Sequence, residues 1–279
     1  MTVIDAHAHI YPEKIAAKAV DAVGAFYGVQ LSMAGKGTAD DLLTARDRSP
    51  ITHFIVHSVA TTAHSVPTIN TFLAQQQAEH PEFIAFGTMH PDFQDMEGEV
   101  QRALDLGLHG FKLHPDTQQV NMDDPRLMNF YEMIAGRAPL VIHTGDYRYG
   151  YSSPDRLKRV LRNFPDLVVD AAHFSGWSIF DRGYDMMHEA DARDLAMEER
   201  LFVDSSSTVA FTGTRHLAEL VKMWGADRVM FGSDFPMWDP AAEFEEQIAQ
   251  QAPETFSEDE LEKILYRNAE RFCGVAVSR

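Results

Sequence analysis

The sequence predicts a (β/α)8 barrel, the TIM-barrel fold, and three observations lead to this prediction. Eight short apolar runs alternate with amphipathic stretches along the 279 residues, as in chains built from βα units around a parallel sheet. Single α/β barrels commonly occupy ~250 residues, which favours one domain spanning residues 1–279. No glycine-rich nucleotide loop follows the first apolar run, and this disfavours the alternative, a doubly wound open sheet.

Each apolar run is short enough to be one strand of the barrel. The predicted strands are Val3–His7, Phe54–Ser58, Ile84–Met89, Gly110–His114, Leu140–Thr144, Leu167–His173, Leu201–Ser205 and Val229–Asp234. The predicted helices are Val66–Glu79, Gly98–Leu106, Asp124–Ala135, Ser153–Asn163, Tyr184–Ala196, Thr214–Trp224 and Pro240–Gln250. Proline near the helix start supports the helices that follow Ser153 and Asp239, and Ser257–Glu260 matches a capping box. Residues 10–50 are a longer segment after the first strand, predicted to be an insertion at the active site.

The net charge and the cysteine content limit which partners the protein can bind and in which cellular compartment we expect it. The chain has 24 Lys and Arg against 42 Asp and Glu, a formal charge of −18, which disfavours binding to nucleic acid or to anionic membranes. Its single cysteine, Cys273, cannot form an internal disulfide, and no targeting segment or long apolar run is evident. We therefore expect a cytoplasmic protein with a small-molecule substrate, and leave a homo-oligomer open.

Histidines are concentrated at the ends of the predicted strands. Seven of the thirteen lie in or just after a strand: His7, His9, His57, His90, His114, His143 and His173. The carboxyl ends of all strands meet at one mouth of a parallel barrel, so these side chains are predicted to converge there. His7 and His9 alternate along one strand and would face the same side, where they could chelate a cation. For His57 and His90 we favour a structural role at the strand end.

Together with Asp234 in a Gly-Ser-Asp-x-Pro segment, these residues resemble the amidohydrolase superfamily over nearly the full chain. The resemblance is to the amidohydrolase-related branch, which includes aminocarboxymuconate semialdehyde decarboxylase, related aromatic-acid decarboxylases and uncharacterised metal-dependent hydrolases. It implies one divalent metal ion, usually zinc, bound by His7, His9, His143 and Asp234 with a position left for water. It also implies that His173 holds this water or polarises the substrate.

The chemistry of such a site follows from the charge of the ligands. Neutral imidazoles and one carboxylate leave the cation with net positive charge, which lowers the pKa of bound water from ~15.7 toward ~7. Asp234 could then relay the proton, and His173 could stabilise the developing oxyanion.

Lys112 shares a predicted strand face with His114 and points either into the barrel or out toward the helices. In binuclear relatives a lysine on the fourth strand is carboxylated and bridges two metal ions, so a second ion is possible here. Lys112 could instead remain an ammonium group that binds a substrate carboxylate, or lie at the surface. We favour a role at the site without choosing between bridge and cation.

Aromatic loops after the strands are expected to form the substrate walls. Arg148 follows the fifth strand and offers a fork for an anionic group, while Trp177 and Trp238 follow the sixth and eighth strands. Such loops can also pack on themselves or on a second subunit. The sequence predicts substrate binding by Arg148, Trp177 and Trp238.

Three functions remain. The first is hydrolysis of an amide, lactone or related bond, which we rank first because it covers more chemistries. The second is non-oxidative decarboxylation of an aromatic or unsaturated acid on the same metal. The third, a metal-binding barrel without catalysis, is disfavoured because a decayed site would be expected to lose a ligand.

Overall fold

The eight predicted strands form one parallel sheet that closes into a barrel. The structure is a computed structural model that describes residues 2–28, 33–188, 200–208, 214–250 and 255–278. The strands pair in sequence order from β1 to β8. Between the last and first strands, the Ala6 N–H donates to the Phe231 carbonyl at 2.8 Å and the Asp234 N–H donates to the His7 carbonyl at 2.8 Å. The predicted TIM barrel is confirmed.

The strands are short, and the helices lie between them. The strands are β1 (Ile4–His9), β2 (His53–His57), β3 (Phe83–Thr88), β4 (Gly110–Leu113), β5 (Leu140–Ile142), β6 (Val169–Ala171), β7 (Leu201–Asp204) and β8 (Val229–Met230). The helices are α1 (Glu13–Tyr27), α2 (Ala39–Leu43), α3 (Val66–Glu79), α4 (Met96–Asp105), α5 (Pro115–Gln118), α6 (Pro125–Ile134), α7 (Pro154–Asn163), α8 (Phe180–His188), α9 (Thr214–Trp224), α10 (Pro240–Phe244), α11 (Glu258–Glu262) and α12 (Asn268–Cys273). None of the described helices is long and apolar enough to cross a membrane.

Three predicted strands end at least two residues earlier than the apolar pattern suggests. β5 ends at Ile142, β6 at Ala171 and β8 at Met230, so His143, His173 and Asp234 lie in the loops that follow. Two of these residues have left-handed backbone: His173 has φ 60° and Asp234 has φ 68°. A left-handed residue cannot continue a pleated strand. The chain turns at both residues and carries their side chains across the mouth of the barrel.

The predicted helix Tyr184–Ala196 is observed as Phe180–His188, and residues 189–199 lie outside the described part of the chain. In the predicted insertion 10–50, α1 and α2 are helical, and residues 29–32 are not described. The capping box at Ser257 is present with both of its hydrogen bonds. The division of the chain as one domain stays a prediction.

The loops after β5 and β6 are held together by backbone contacts. The Trp177 N–H donates to the Thr144 carbonyl at 2.9 Å, and the Ser178 N–H donates to the Gly145 carbonyl at 3.1 Å. Gly145 has φ +86°, and a Cβ there would lie 2.4 Å from the Cα of Gly176. Only glycine allows this approach, so Gly145 fixes the position of the loop that follows His143.

We predict that Gly145→Ala lowers the free energy of unfolding by about 2–4 kcal/mol, from left-handed strain and overpacking. Gly225→Ala is the matched control, because Gly225 has the same φ, +86°, and nothing within 4 Å of its Cβ position. This control should lose only about 1–2 kcal/mol from backbone strain. Urea unfolding of both variants measures the difference, and equal losses would show that the close contact of the two loops is unimportant.

Candidate metal centre

The carboxyl ends of the strands surround a cavity of about 500 Å³. Its floor is made of titratable side chains from five strands or their following loops. They are His7, His9, Lys112, His114, His143, His173 and Asp234. The cavity therefore brings together every residue that the sequence analysis assigned to metal binding or catalysis.

His7 is oriented by a carboxylate from β7. Its Nδ1 lies 2.7 Å from Oδ2 of Asp204, and both side chains are fully buried. Because a carboxylate only accepts, Nδ1 carries the proton and Nε2 keeps its lone pair. Asp204 thereby presents His7 to the cavity in the form that a metal ligand needs.

Three ligand atoms on β1 and in the loop after β8 face each other. Nε2 of His7 and Nε2 of His9 each lie 3.6 Å from Oδ1 of Asp234, too far for hydrogen bonds. Two ligands of one zinc ion are roughly 3–3.5 Å apart, so this spacing suits a shared cation. The other carboxylate oxygen of Asp234, Oδ2, accepts from Ser207 Oγ at 2.5 Å.

His143 and His173 form a second pair beside this group. Nδ1 of His173 lies 3.1 Å from the Ser206 carbonyl, which only accepts, so Nδ1 carries the proton and Nε2 is unprotonated. This Nε2 lies 3.1 Å from Nδ1 of His143. On its other side, Nε2 of His143 lies 3.6 Å from Oδ2 of Asp116. This distance is too long for a hydrogen bond, so Asp116 does not fix the tautomer of His143 as Asp204 fixes that of His7.

Lys112 points into the barrel and is fully buried. Its Nζ lies 3.1 Å from Nε2 of His7. Burial lowers the pKa of Lys112 to about 8, although the nearby carboxylates of Asp204 and Asp234 act in the opposite direction. An ammonium group at this point places a positive charge next to the predicted metal ligands.

Burial also sets the protonation of the other floor residues. It lowers the pKa values of His7, His9 and His143 well below the usual range and lowers that of His173 to about 4. These imidazoles are neutral at pH 7, as metal binding requires. Burial raises the pKa of Asp234 to about 7 against the hydrogen bond from Ser207, so Asp234 can hold or release a proton near neutrality.

The donor set fits a divalent cation. Among the described residues, three groups of side chains offer ligand atoms within 4.8 Å of one another. These are His7, His9 and His57; His7, His173 and Asp204; and His114, Asp116 and His143. Neutral imidazole with carboxylate suits zinc and other transition metals. That His7, His9, His143 and Asp234 are the ligands stays a prediction, because none of these three groups contains all four residues and His143 groups with His114 and Asp116.

None of the three loop residues lines the cavity. The guanidinium of Arg148 pairs with Asp146 at 2.6 Å, and its Nη1 donates to the Phe26 carbonyl at 2.7 Å. Trp177 packs against Tyr27, with ring centroids 4.8 Å apart. The indole N–H of Trp238 donates to Ser207 Oγ at 3.0 Å. Their roles in substrate binding stay predictions, and Trp238 has an observed role in holding the serine that bonds Asp234.

Sequence reasoning missed the residues behind the ligands. Asp204 ends an apolar strand, the same signal that singled out the histidines, and could have been found in this way. Tyr27, which bonds Nε2 of His114 at 2.8 Å, comes from α1, and no sequence signal links it to the strand ends. His57 was assigned a structural role, yet it is fully buried between His7 and His9, and neither ring nitrogen has a hydrogen-bond partner among the described residues.

A family model for amidohydrolases matches residues 4–275. The chain belongs to the amidohydrolase family. A search of curated proteins found no significant match. This amidohydrolase has the fold of several solved structures that share 20% identity or less with it.

One is an uncharacterised TIM-barrel protein from Bordetella bronchiseptica, with 20% identity, TM-score 0.74, and coverage of 98% of this chain and 99% of that one. Another is 5-carboxyvanillate decarboxylase from Sphingomonas paucimobilis, with 19% identity, TM-score 0.69, and 99% of both chains. A third, 5-carboxyvanillate decarboxylase from Novosphingobium aromaticivorans with bound manganese, has 18% identity, TM-score 0.72, and 98% and 97% coverage.

We predict that Asp204→Asn weakens binding of a divalent metal by ~10–100-fold, because the neutral amide of asparagine lacks the full negative charge that fixes the tautomer of His7. Competition with a chelator on folded protein measures the affinity. Ser205→Ala is the control, since its hydroxyl bonds Gln247 instead, and it should keep the affinity. Unchanged metal affinity in Asp204→Asn would contradict the orienting role of Asp204.

Proposed function

We propose that this amidohydrolase is a metal-dependent decarboxylase of a small aromatic or unsaturated carboxylic acid. The observation that supports it best is the position of Lys112: a cation buried on the cavity floor, 3.1 Å from a predicted metal ligand. A substrate carboxylate needs such a counter-charge to leave water. The decarboxylases among the structures of similar fold agree with this proposal.

Three tasks fall to residues of this chain. Lys112 binds the substrate carboxylate and removes it from water, and the enclosed floor favours charge dispersal as carbon dioxide departs. His173 lies on the floor beside the substrate and orients His143 through the contact between its Nε2 and Nδ1 of His143. Asp234 carries a proton to the carbon that loses carbon dioxide and is then reprotonated from solvent. Carboxylate and one proton thus yield carbon dioxide and the C–H product.

The metal-binding residues in this proposal are His7, His9, His143 and Asp234. A bound divalent cation would supply Lewis-acid binding of substrate oxygens. The donor set suits zinc, and the manganese in the structure from Novosphingobium makes manganese the other candidate. Lys112 as an ammonium corresponds to one ion per chain, whereas a carboxylated Lys112 would correspond to two.

Hydrolysis of an amide or lactone is the second candidate, and one observation favours it. Asp234 Oδ1 lies equally close to both β1 histidines, where a carboxylate could take a proton from an activated water. This function does not need a buried ammonium, which is why we place decarboxylation first. The small-molecule substrate and the cytoplasmic location remain part of the proposal.

We expect metal-reconstituted protein to release carbon dioxide from at least one acid in a panel of aromatic and unsaturated acids, lactones and amides. In heavy water, the product should carry deuterium at the carbon that lost the carboxylate. Acid release from lactones or amides without carbon dioxide from any acid would instead identify a hydrolase.

Asp234→Asn keeps the size of the side chain but cannot carry the proton, so turnover should fall by ~10²–10⁴. Asp239→Asn is the control: Asp239 caps α10 through its side chain, and asparagine caps equally well. Metal content and unfolding are measured for both variants. Normal turnover in Asp234→Asn would exclude Asp234 as the proton carrier.

A further inference from the structure

The upper wall of the cavity is apolar on the side of α1. Besides Tyr27, five apolar residues of this helix line the cavity: Ile15, Ala19, Ala22, Val23 and Phe26. Their spacing of four, three, one and three places them on one face of the helix. Across the cavity, Val59, Ile69 and Phe72 line the wall formed by the β2–α3 loop and α3. Two apolar surfaces therefore face each other above the polar floor.

The apolar face of α1 is only partly covered by the rest of the described protein, mainly at Phe26, which stacks on Tyr149 with ring centroids 5.7 Å apart. Only Ala16 and Val20 of this helix are buried, whereas Ile15 is 51% exposed and Val23 and Phe26 are partly exposed. An amphipathic helix normally buries its apolar stripe against the core. Here the stripe faces a cavity whose floor carries the predicted catalytic groups. Its position therefore indicates that the apolar part of a substrate packs against it.

Charge is confined to the floor. Among the described lining residues there is one lysine, Lys112, no arginine and one carboxylate, Asp234, and all of these charged residues lie on the floor, where the metal is also predicted. The described residues of the walls and rim have no charged side chain; they include Thr61, Thr62, Ser65, Thr68 and Met237. A second anionic group held between these walls, away from the floor, would leave water without a counter-charge, which is costly.

We infer that the substrate has a single acidic group, bound on the floor, and an uncharged and largely apolar body between α1 and α3. This inference rests on the proposed function for the acidic end. The apolar body of the substrate follows independently of that function, from the apolar walls of α1 and α3. Dicarboxylic acids such as 5-carboxyvanillate do not match this cavity, whereas alkyl- or aryl-substituted monoacids do. Hydroxyl groups of Thr61 and Thr62 at the mouth accept an uncharged polar end.

Binding of sulfonates tests the inference without any reaction, because a sulfonate cannot lose carbon dioxide and these compounds have no hydrolysable bond. Calorimetry on metal-loaded protein compares benzenesulfonate, 4-butylbenzenesulfonate and benzene-1,3-disulfonate. We expect the butyl compound to bind at least ~10-fold tighter than benzenesulfonate, from burial of the alkyl chain. The disulfonate should bind more weakly than benzenesulfonate. Equal or tighter binding of the disulfonate would overturn the inference, whichever reaction the enzyme catalyses.

Val23→Asp places a carboxylate on the apolar stripe and should abolish the advantage of the butyl compound. Ala17→Asp adds the same charge to the exposed side of α1 and should preserve that advantage. Val23→Ala, which is milder for folding, should reduce it by ~3–10-fold from lost apolar contact. If the wild type shows no butyl preference, or if light scattering shows a dimer that Val23→Asp dissociates, the stripe faces a second copy of the chain and not the substrate.

Discussion

The contact between Asp204 and His7 is the interaction on which the site depends. Asp204 Oδ2 fixes the imidazole of His7, while Oδ1 accepts from the backbone N–H groups of His173 and Ser206 at 3.2 and 3.0 Å. One buried carboxylate therefore links β1, the loop after β6 and the end of β7. Hydrogen bonds from several donors satisfy the buried oxygens of Asp204. The direction in which His7 Nε2 points follows from this arrangement.

Burial gives the neighbouring groups their chemical properties. The same loss of water that keeps the imidazoles neutral lowers the pKa of Lys112 to about 8 and raises that of Asp234 to about 7. A site with two groups near neutrality can move protons at physiological pH. Left-handed backbone at His173 and Asp234 costs about 1–2 kcal/mol at each residue, and strain of this kind is common where a functional side chain must be aimed.

Much of the fold was predictable, because apolar periodicity and strand-end histidines both reflect the barrel. His7 and His9 follow directly from strand alternation, and convergence of His143, His173 and Asp234 follows from parallel topology. The backbone turns at His173 and Asp234 were not predictable, since short apolar runs do not reveal where the ladder stops. Arg148 illustrates a different limit: its partners, Asp146 and the carbonyl of Phe26, come from a neighbouring loop residue and from a distant helix. Whether an arginine is already paired depends on tertiary contacts that spacing alone does not give.

The site as proposed holds a divalent cation on the floor of the cavity through His7, His9, His143 and Asp234. Elemental analysis of purified protein measures this cation in the wild type, in the double variant His7→Ala/His9→Ala and in the control His64→Ala/His80→Ala, whose histidines lie outside the cavity. We expect about one tightly bound divalent ion per chain in the wild type and the control, and a loss of that ion in the His7/His9 variant. Metal content that is unchanged in a folded His7/His9 variant would contradict this ligand assignment.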